Sequence, residues 1–379
     1  DEEGWETYKD FVKINDIFPV NSVGIVTSRD DFVIDFDRKN LENRIRTFIY
    51  SNDSDDFIKQ AFNLKENKKW KVANARAVLR KATDRENYIQ KILYRPFDER
   101  WIFYHPAVIA RDRKTVMKEF AYTNLGFLYT RPQSPTYKFS CLVSSYIIDQ
   151  CAVGNKTAGA GISYISPLYL NNGNQKQYLL DSEQEKLDLE DTQHSLSRTE
   201  ENKTPNIKSE LLNILYATFR VTPLPEAIFY YIYAILYSNI YRGKYQEFLK
   251  SDFPRIPFTK DYELFKNIAT LGEQLVELHL LKSKLLDSPL SRYERNGTDR
   301  VETRKYEPES ERVYINGSQF FDKVEPDVWN YCIGGYHVLD KWLKDREGRI
   351  LSLEDQTHYR KVITAISETI KIQTKIDKF

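Results

Sequence analysis

The longest hydrophobic stretch of the chain lies within residues 222–281, where nearly every residue from 227 to 237 is apolar or aromatic. Such a run is typical of a helix that is buried on most sides. Pro223 and Pro225 suit its start, because the first N–H groups of a helix have no partner within the helix. A proline-rich corner at residues 253–257 follows, and then a helix with apolar residues at spacings of three and four, namely Phe265, Ile268, Leu271, Leu275 and Leu278. We therefore predict a buried helix, a rigid corner and an amphipathic helix, with His279 as a hydrogen-bonded structural residue.

The pattern before residue 91 predicts a mostly helical connector. Residues 32–34 indicate a short strand, and residues 56–79 indicate helix. Between these segments, Asp37 or Asn40 can cap a helix. The apolar face of that helix would consist of Leu41, Ile45 and Phe48.

Short aromatic and β-branched runs replace the helical pattern after residue 91, at residues 101–104, 125–129 and 144–148. Residues 171–205 are polar without a hydrophobic period and predict an excursion on the surface. Further strands are predicted at residues 313–317 and 329–333. Helices are predicted at residues 336–344 and from 354 onward, the last with one apolar face of Tyr359, Ile363, Ile366, Ile370 and Ile376. The whole pattern predicts an α+β fold in three parts, which are a helical connector (1–90), a strand-rich domain (91–258) and C-terminal helices with a short strand pair (259–379).

Charge is distributed unevenly along a chain whose 379 residues carry a net charge of only +1. Basic residues are clustered in residues 59–81, in residues 111–118 and, more loosely, in residues 292–305, whereas acids are concentrated in residues 181–191. Such segregation can build a basic face on a nearly neutral molecule, and each cluster alone is also compatible with ordinary solvated surface.

Recognisable catalytic chemistry is absent from the sequence. The three cysteines (Cys141, Cys151 and Cys332) and the five scattered histidines show no metal-ligand spacing. There is no Gly-rich cofactor loop, no nucleotide-binding loop, no Asn/Asp-Pro-Pro-Tyr methylation motif and no nuclease constellation. Since a signal peptide and a long apolar span are also absent, we expect a cytoplasmic protein without a membrane partner. We expect no catalytic residue, metal site or cofactor site within this chain.

Four segments resemble the C-terminal specificity region of type ISP and related, type IIG-like single-chain restriction–modification enzymes. They are NSVGIVTSRD (21–30), YRPFDERWIFYH (94–105), a run from 231 to 281 that ends in LGEQLVELHLL, and IGGYHVLDKWLKDREGR (333–349). Because the four occur in the family's order, the resemblance covers nearly the whole chain. It implies the target-recognition region of an adenine-specific DNA methyltransferase and endonuclease, which binds double-stranded DNA sequence-specifically.

The resemblance also implies where the chemistry lies. In the similar enzymes, methyltransferase and nuclease regions precede the specificity region, with a helicase motor in the type ISP case. The chain begins at Asp1 without methionine, and we expect it to be one region of a longer polypeptide whose upstream regions are its partners. S-adenosylmethionine, Mg²⁺ and, where a motor is present, ATP would serve the parent enzyme and not this chain.

Candidate DNA contacts come from polar loops between the predicted strands and from two of the basic clusters. Arg and Lys read guanine O6 and N7, whereas Asn and Gln read adenine N6 and N7, so such loops suit base reading. We predict DNA contacts by ten residues, which are Arg131, Gln133, Lys138, Asn155, Lys156, Arg111, Arg113, Lys114, Lys68 and Lys69. Phosphate contacts would fix the register, and the proline-stiffened loop after Arg131 would read bases.

Other charged residues have structural interpretations. Arg29 with Asp30 and Arg95 with Asp98 are predicted ion pairs. The cations near residues 344–349 either bind phosphate or border the end of a helix. Two further functions stay open. A protein–protein scaffold is favoured if the basic clusters lie on different faces, and an enzyme with an unrecognised site is favoured by a deep pocket holding paired carboxylates of shifted pKa.

Overall fold

Helices and strands are interspersed along the chain in a computed structural model that describes residues 2–131, 139–154, 161–171 and 203–379. The α-helices in these residues are α1 (Glu2–Tyr8), α2 (Ile14–Ile17), α3 (Asp30–Val33), α4 (Arg38–Tyr50), α5 (Asp55–Ala61), α6 (Val72–Lys81), α7 (Lys114–Met117), α8 (Ser209–Phe219), α9 (Pro225–Tyr237), α10 (Asn239–Lys244), α11 (Gln246–Leu249), α12 (Tyr262–His279), α13 (Pro326–Trp329), α14 (Val338–Lys344) and α15 (Leu353–Ile376). The strands are β1 (Val12–Lys13), β2 (Ser22–Val23), β3 (Ile34–Asp35), β4 (Ile89–Arg95), β5 (Asp98–Phe103), β6 (Gly126–Arg131), β7 (Cys141–Ser144), β8 (Ile147–Ile148), β9 (Ile162–Pro167), β10 (Tyr169–Asn171), β11 (Lys203–Pro205), β12 (Arg255–Ile256), β13 (Tyr293–Glu294), β14 (Lys305–Glu307), β15 (Arg312–Tyr314), β16 (Phe320–Phe321), β17 (Cys332–Ile333) and β18 (Tyr336–His337). This mixture of elements confirms the predicted α+β class.

The N-terminal helices follow the predicted pattern in part. Asp37 caps α4, where its carboxylate accepts a hydrogen bond from the N–H of Asn40 at 2.7 Å. The predicted apolar face of this helix is buried, and it consists of Leu41, Ile45 and Phe48. This helix is therefore confirmed.

Two neighbouring predictions are wrong. The strand predicted at residues 32–34 is helical at its first two residues, because α3 extends to Val33 and only Ile34 continues into β3. Three apolar residues are too few to show a period, so pattern alone could not decide between helix and strand. The single helix predicted over residues 56–79 is two helices, α5 and α6, since the intervening run KENKKWK (65–71) offers no apolar face.

Two four-stranded sheets form the strand-rich part of the molecule. The first has the order β2-β9-β6-β7 and is antiparallel, whereas the second has the order β3-β5-β4-β8 with β4 and β8 parallel. The N–H of Gly24 donates to Ser163 O at 3.0 Å, and the N–H of Ile25 donates to Ile148 O at 2.9 Å. The chain thus passes from one sheet to the other within two residues. A Cβ on Gly24 would lie 2.5 Å from the backbone carbon of Asp149, so only glycine fits this crossing.

Helices α9 and α12 form the central pair that residues 222–281 predict. Pro225 occupies the first turn of α9, most of whose residues are buried. The helices cross so closely that a Cβ on Gly272 would lie 1.8 Å from the carbonyl oxygen of Tyr230. The predicted corner between them is extended, and it pairs as β12 with β1. His279 is buried and hydrogen-bonded to the Tyr233 hydroxyl at 2.6 Å, which confirms its structural role.

A third sheet and the long helix α15 complete the fold. The sheet has the antiparallel order β13-β16-β15-β14. Helix α15 begins with a capping box formed by Ser352 and Asp355, and its predicted apolar face is buried apart from the half-buried Ile370. The strand predicted at residues 329–333 is wrong at its start, because α13 ends at Trp329 and only β17 is extended.

Strand pairings join the three predicted parts of the chain. Strands β1, β2 and β3, all within residues 1–90, pair with β12, β9 and β5 respectively. The boundaries predicted at residues 90 and 258 remain predictions. Among the residues described here, no helix combines the length and the apolar character that crossing a membrane requires.

Candidate nucleic-acid interface

In the first basic cluster, at residues 59–81, only some of the cations form ion pairs within the fold. Lys59 and Lys71 lie 3.8 and 3.4 Å from the carboxylate of Glu66, and the buried Arg76 pairs with Asp55 at 2.5 Å. Three further lysines in the loop between α5 and α6 are exposed and form no ion pair within the described ranges, and they are Lys65, Lys68 and Lys69. The ammonium groups of these lysines are therefore accessible to a ligand.

The second basic cluster follows the second sheet. Arg111 is exposed and its backbone pairs with that of Val26, with N···O distances of 2.9 and 3.0 Å. Arg113 precedes α7 in a left-handed conformation with φ of 55°, and its Nε is buried without a hydrogen-bond partner in the described structure. Lys114 is exposed. In the part of the chain that is described, these three cations have no carboxylate partner, whereas Lys118 lies 3.7 Å from Glu119.

Trp70 and Arg29 bring these two clusters together. The indole N–H of Trp70 donates to Ala107 O at 2.7 Å, and the Arg29 guanidinium lies 3.6 Å from the centre of the Trp70 ring. Arg29 also donates to Val108 O at 3.1 Å. The lysine loop is thus held against the segment that leads to Arg111. We call the resulting patch, made of Lys65, Lys68, Lys69, Arg111, Arg113 and Lys114, the basic surface.

Arg29 itself has a structural role. Burial lowers the pKa of Arg29 to about 10, and its side chain is occupied by backbone carbonyls and the Trp70 ring. No ion pair joins it to Asp30, whose carboxylate instead accepts hydrogen bonds from the hydroxyls of Thr27 and, at 2.9 Å, Tyr94. The predicted Arg29–Asp30 pair is therefore wrong. The sequence signal for the contacts among Arg29, Trp70 and Ala107 is the single tryptophan inside a lysine-rich run.

Neighbouring acids pair with three of the five cations in the third basic cluster. Arg304 pairs with Asp340 at 2.9 Å and with Glu347 at 2.8 Å. Arg292 pairs with Asp322 at 3.1 Å, and Lys305 lies 3.6 Å from Glu307. This cluster therefore contributes much less free positive charge than the basic surface.

Arg131 lies at one end of the first sheet. It is the last residue of β6, is exposed, and is paired in register with Ile162, the first residue of β9. The loops that follow β6 and precede β9 consequently leave the sheet at the same end. Its guanidinium lies 5.5 Å from the centre of the Phe253 ring. Four other predicted contacts belong to these loops and lie outside the described residues, namely Gln133, Lys138, Asn155 and Lys156.

This sheet end adjoins the basic surface through the segment that crosses between the sheets. Residues 22–24 pair with β9 next to its start, and Val26 pairs with Arg111 two residues later. The structure therefore brings the ends of the predicted reading loops close to the predicted phosphate-binding cations. Sequence alone left both interpretations of these clusters open.

Residues 94–105 contact each of the other three segments that carry the family resemblance. Asp98 is buried and lies 2.9 Å from Arg346, and the Phe97 ring centre lies 5.8 Å from that of His279. Tyr94 bonds to Asp30 as described above. We call these residues, Asp30, Tyr94, Phe97, Asp98, His279 and Arg346, the motif junction.

The junction corrects a second predicted ion pair. Arg95 does not pair with Asp98 but with Asp149, at 2.8 Å, and both side chains are buried. Asp98 instead pairs with Arg100 at 2.6 Å and with Arg346. Burial alone would raise the pKa of Asp98, but the positive charges of Arg346 and Arg100 and the hydrogen bonds from both outweigh it and hold that pKa well below its usual range. Arg346 is thus committed to Asp98 and donates to Trp342 O at 3.2 Å near the end of α14, which favours the helix-end interpretation of this residue over phosphate binding.

The fold and the basic surface define a candidate nucleic-acid-binding domain. Residues 16–375 match the family described as the Type ISP C-terminal specificity domain. Since this match covers nearly the whole chain, the chain belongs to that family. No protein of curated function matches its sequence.

Several solved structures share the fold. A nuclease-deletion mutant of the Type ISP restriction–modification enzyme LlaGI, in complex with a DNA substrate mimic, is 19% identical with a TM-score of 0.65, over 98% of this chain and 29% of that one. The DrdV–DNA complex is 18% identical with a TM-score of 0.70, over 95% of this chain and 36% of that one. The ATP-dependent Type ISP restriction–modification enzyme LlaBIII, bound to DNA, is 18% identical with a TM-score of 0.70, over 97% of this chain and 24% of that one. This chain therefore spans about a quarter to a third of the length of those proteins.

Proposed function

We propose that this chain is the DNA target-recognition region of a restriction–modification enzyme. The observation that carries the proposal is the basic surface, where two clusters from different parts of the sequence adjoin and keep cations without carboxylate partners in the described structure. Membership of a specificity-domain family supports it, as does the fold shared with three proteins solved in complex with DNA or a DNA substrate mimic.

The proposed mechanism divides affinity from specificity. Lys68, Lys69, Arg111, Arg113 and Lys114 would bind phosphates and release counterions, which supplies the salt-dependent part of the affinity. Side chains at the shared end of β6 and β9 would contact base edges, which carry the sequence information. Arg131, the last residue of β6, is the one predicted base-reading residue at this sheet end that belongs to the described structure. The remaining predicted readers, Gln133, Lys138, Asn155 and Lys156, complete this proposal.

Catalysis would belong to other regions of the enzyme. By analogy with LlaBIII, which is described as ATP-dependent, and with LlaGI, which has a nuclease, we propose upstream methyltransferase and nuclease regions as partners in the same polypeptide. S-adenosylmethionine, Mg²⁺ and ATP would act in those regions. The described residues of this chain contain no group of three His, Cys, Asp or Glu side chains placed to hold a metal ion.

Both alternatives are less well supported. A scaffold without DNA contact would be favoured by basic clusters on different faces of the molecule. Instead, the clusters at residues 59–81 and 111–118 adjoin through the Trp70–Ala107 contact. An enzyme was favoured by a pocket with paired carboxylates of shifted pKa. Burial does raise the pKa of Asp149, which lies near Asp30, but both carboxylates are held by fixed partners, Arg95 and Tyr94. This arrangement favours a structural or recognition role over proton transfer.

The test is the salt dependence of duplex DNA binding by the full-length protein. Replacing Lys68, Lys69, Arg111 and Lys114 together by Gln should lower the slope of log K against log salt by up to about 3.6, at about 0.9 for each phosphate contact. The matched control replaces four exposed lysines elsewhere, namely Lys282, Lys284, Lys323 and Lys375. Equal slopes for the two quadruple variants would refute the assignment of the basic surface.

A further inference from the structure

A polar cleft borders the basic surface and has no part in the phosphate binding proposed above. It has a volume of about 310 Å³ and is lined by Val26, Thr27, Ser28, Asp30, Asp149 and Gln150. The N–H of Val26 donates to Arg111 O at 3.0 Å, so the cleft is one strand pairing away from a cation of the basic surface. A duplex bound to that surface would bring its groove close to the cleft.

The charge of the cleft selects against phosphate. Asp30 is fixed by Tyr94 at 2.9 Å and by Thr27, and Asp149 is fixed by Arg95 at 2.8 Å. Both acids are thus rigid hydrogen-bond acceptors in a site bordered by cations. Because the lining itself holds two acids and no cation, the cleft repels an anion and favours a neutral group that donates hydrogen bonds, such as the exocyclic amine of adenine or cytosine.

Gln150 supplies the one amide side chain of the cleft. Its backbone is fixed on both sides, because its N–H donates to Ile25 O at 3.0 Å and its carbonyl accepts from the N–H of Ser163 at 2.9 Å. The side chain is half-buried, and its amide forms no hydrogen bond within the described residues. A free amide on a rigid backbone is suited to binding a ligand with little loss of conformational entropy.

We propose that this cleft receives a base edge of the target duplex and that Gln150 reads an adenine there. The amide oxygen would accept from adenine N6 and the amide nitrogen would donate to N7, the pairing that distinguishes adenine from the other bases in the major groove. Asp30 would add acceptor capacity beside the exocyclic amine. This inference rests on the proposed DNA binding and adds a specificity residue outside the two predicted loops.

The experiment starts with a selection of bound sites from random duplexes by the full-length protein. Gln150→Ala should relax one adenine position, with a loss of discrimination of about 5- to 140-fold, as a bidentate base contact of ordinary strength predicts. The matched control is Gln274→Ala, since Gln274 is exposed on α12. Thermal unfolding of each variant checks that the fold is kept.

A second measurement makes the assignment atom-specific. Replacing the adenine at that position by 7-deazaadenine removes the N7 acceptor, and it should weaken binding by the parent protein but not weaken binding by Gln150→Ala any further. If Gln150→Ala keeps the parent's preference, or weakens all sequences equally, Gln150 is not a base reader and the inference is wrong while DNA binding stands. Absence of any DNA binding by the parent would instead refute the proposed function itself.

Discussion

The motif junction and the basic surface use the same charged residue types for opposite purposes. In the junction, Asp98 is 1% exposed and Arg346 is 4% exposed, and these two opposite charges pair with each other. On the basic surface, Lys68 and Lys69 are exposed and have no acid partner in the described structure. A buried charge without a partner is strongly destabilising, whereas an exposed one costs little and remains free to bind a ligand. Burial therefore separates charges that hold the fold from charges that can recognise DNA.

Because of this difference, we expect the largest loss of folding stability when the buried Asp98 is replaced. The variant Asp98→Ala leaves the buried guanidinium of Arg346 without its partner at 2.9 Å, while Arg100 keeps Asp345 at 3.0 Å, and we expect a loss of ~3–5 kcal/mol in the free energy of unfolding. Denaturant titration measures this loss. Asp10→Asn is the control, because Asp10 is exposed and should change stability by less than about 0.5 kcal/mol.

The pH dependence sharpens the same prediction. Because the folded-state pKa of Asp98 lies below its unfolded value of about 3.9, the stabilisation is fully present above that pH and is lost as the pH falls below it. The free energy of unfolding of the parent should therefore decrease more steeply below about pH 4 than that of Asp98→Ala. Parallel curves for the two proteins would contradict the charge pairing at the junction.

Replacing an uncharged core residue gives a stability loss with which the loss in Asp98→Ala can be compared. Leu275 on α12 is fully buried, and Leu275→Ala should cost ~2–5 kcal/mol through lost transfer free energy and the cavity left behind. Ile366 on α15, also buried, should behave similarly. An unchanged denaturant midpoint for Leu275→Ala would show that this face of α12 does not pack as described.

At the edge of the first sheet, substitution should change recognition and leave the fold intact. Arg131→Ala should relax one base position of the preferred site by ~1–3 kcal/mol, since a bidentate Arg–guanine contact has that magnitude. Site selection from random duplexes by the full-length protein measures it. If the variant binds with the parent's preference and affinity, Arg131 serves only its contact with Phe253.

The smallest effect is expected on the basic surface. Lys69→Ala should weaken binding to all sequences alike, lower the salt slope by about 0.9 and leave the preferred site unchanged. Its free energy of unfolding should stay within about 0.5 kcal/mol of the parent. A changed base preference would mean that Lys69 reads sequence, and the division between phosphate binding and base reading would have to be redrawn.

The local sequence pattern was sufficient to predict structure where the interacting residues are close in sequence. The cap of α4 and the apolar faces of α4 and α12 follow from residues three or four apart, and the burial of His279 follows from its place on α12. The four resembling segments were sufficient to indicate the family. Local pattern failed at residues 32–34, where a run of three apolar residues fits helix and strand equally well.

The sequence by itself thus determined the α+β class, the central helices and the existence of the basic clusters. Only the tertiary structure decided which charges pair, because Arg95 finds Asp149 54 residues away and Asp98 finds Arg346 248 residues away. Charges one and three residues apart in the sequence suggested the pairs Arg29–Asp30 and Arg95–Asp98, and both suggestions were wrong. The Trp70–Ala107 contact, across 37 residues, likewise joins two basic clusters that no local pattern relates. Charge pairing is decided by distance and burial in the folded molecule, since the energy of an ion pair depends on both and not on separation along the chain.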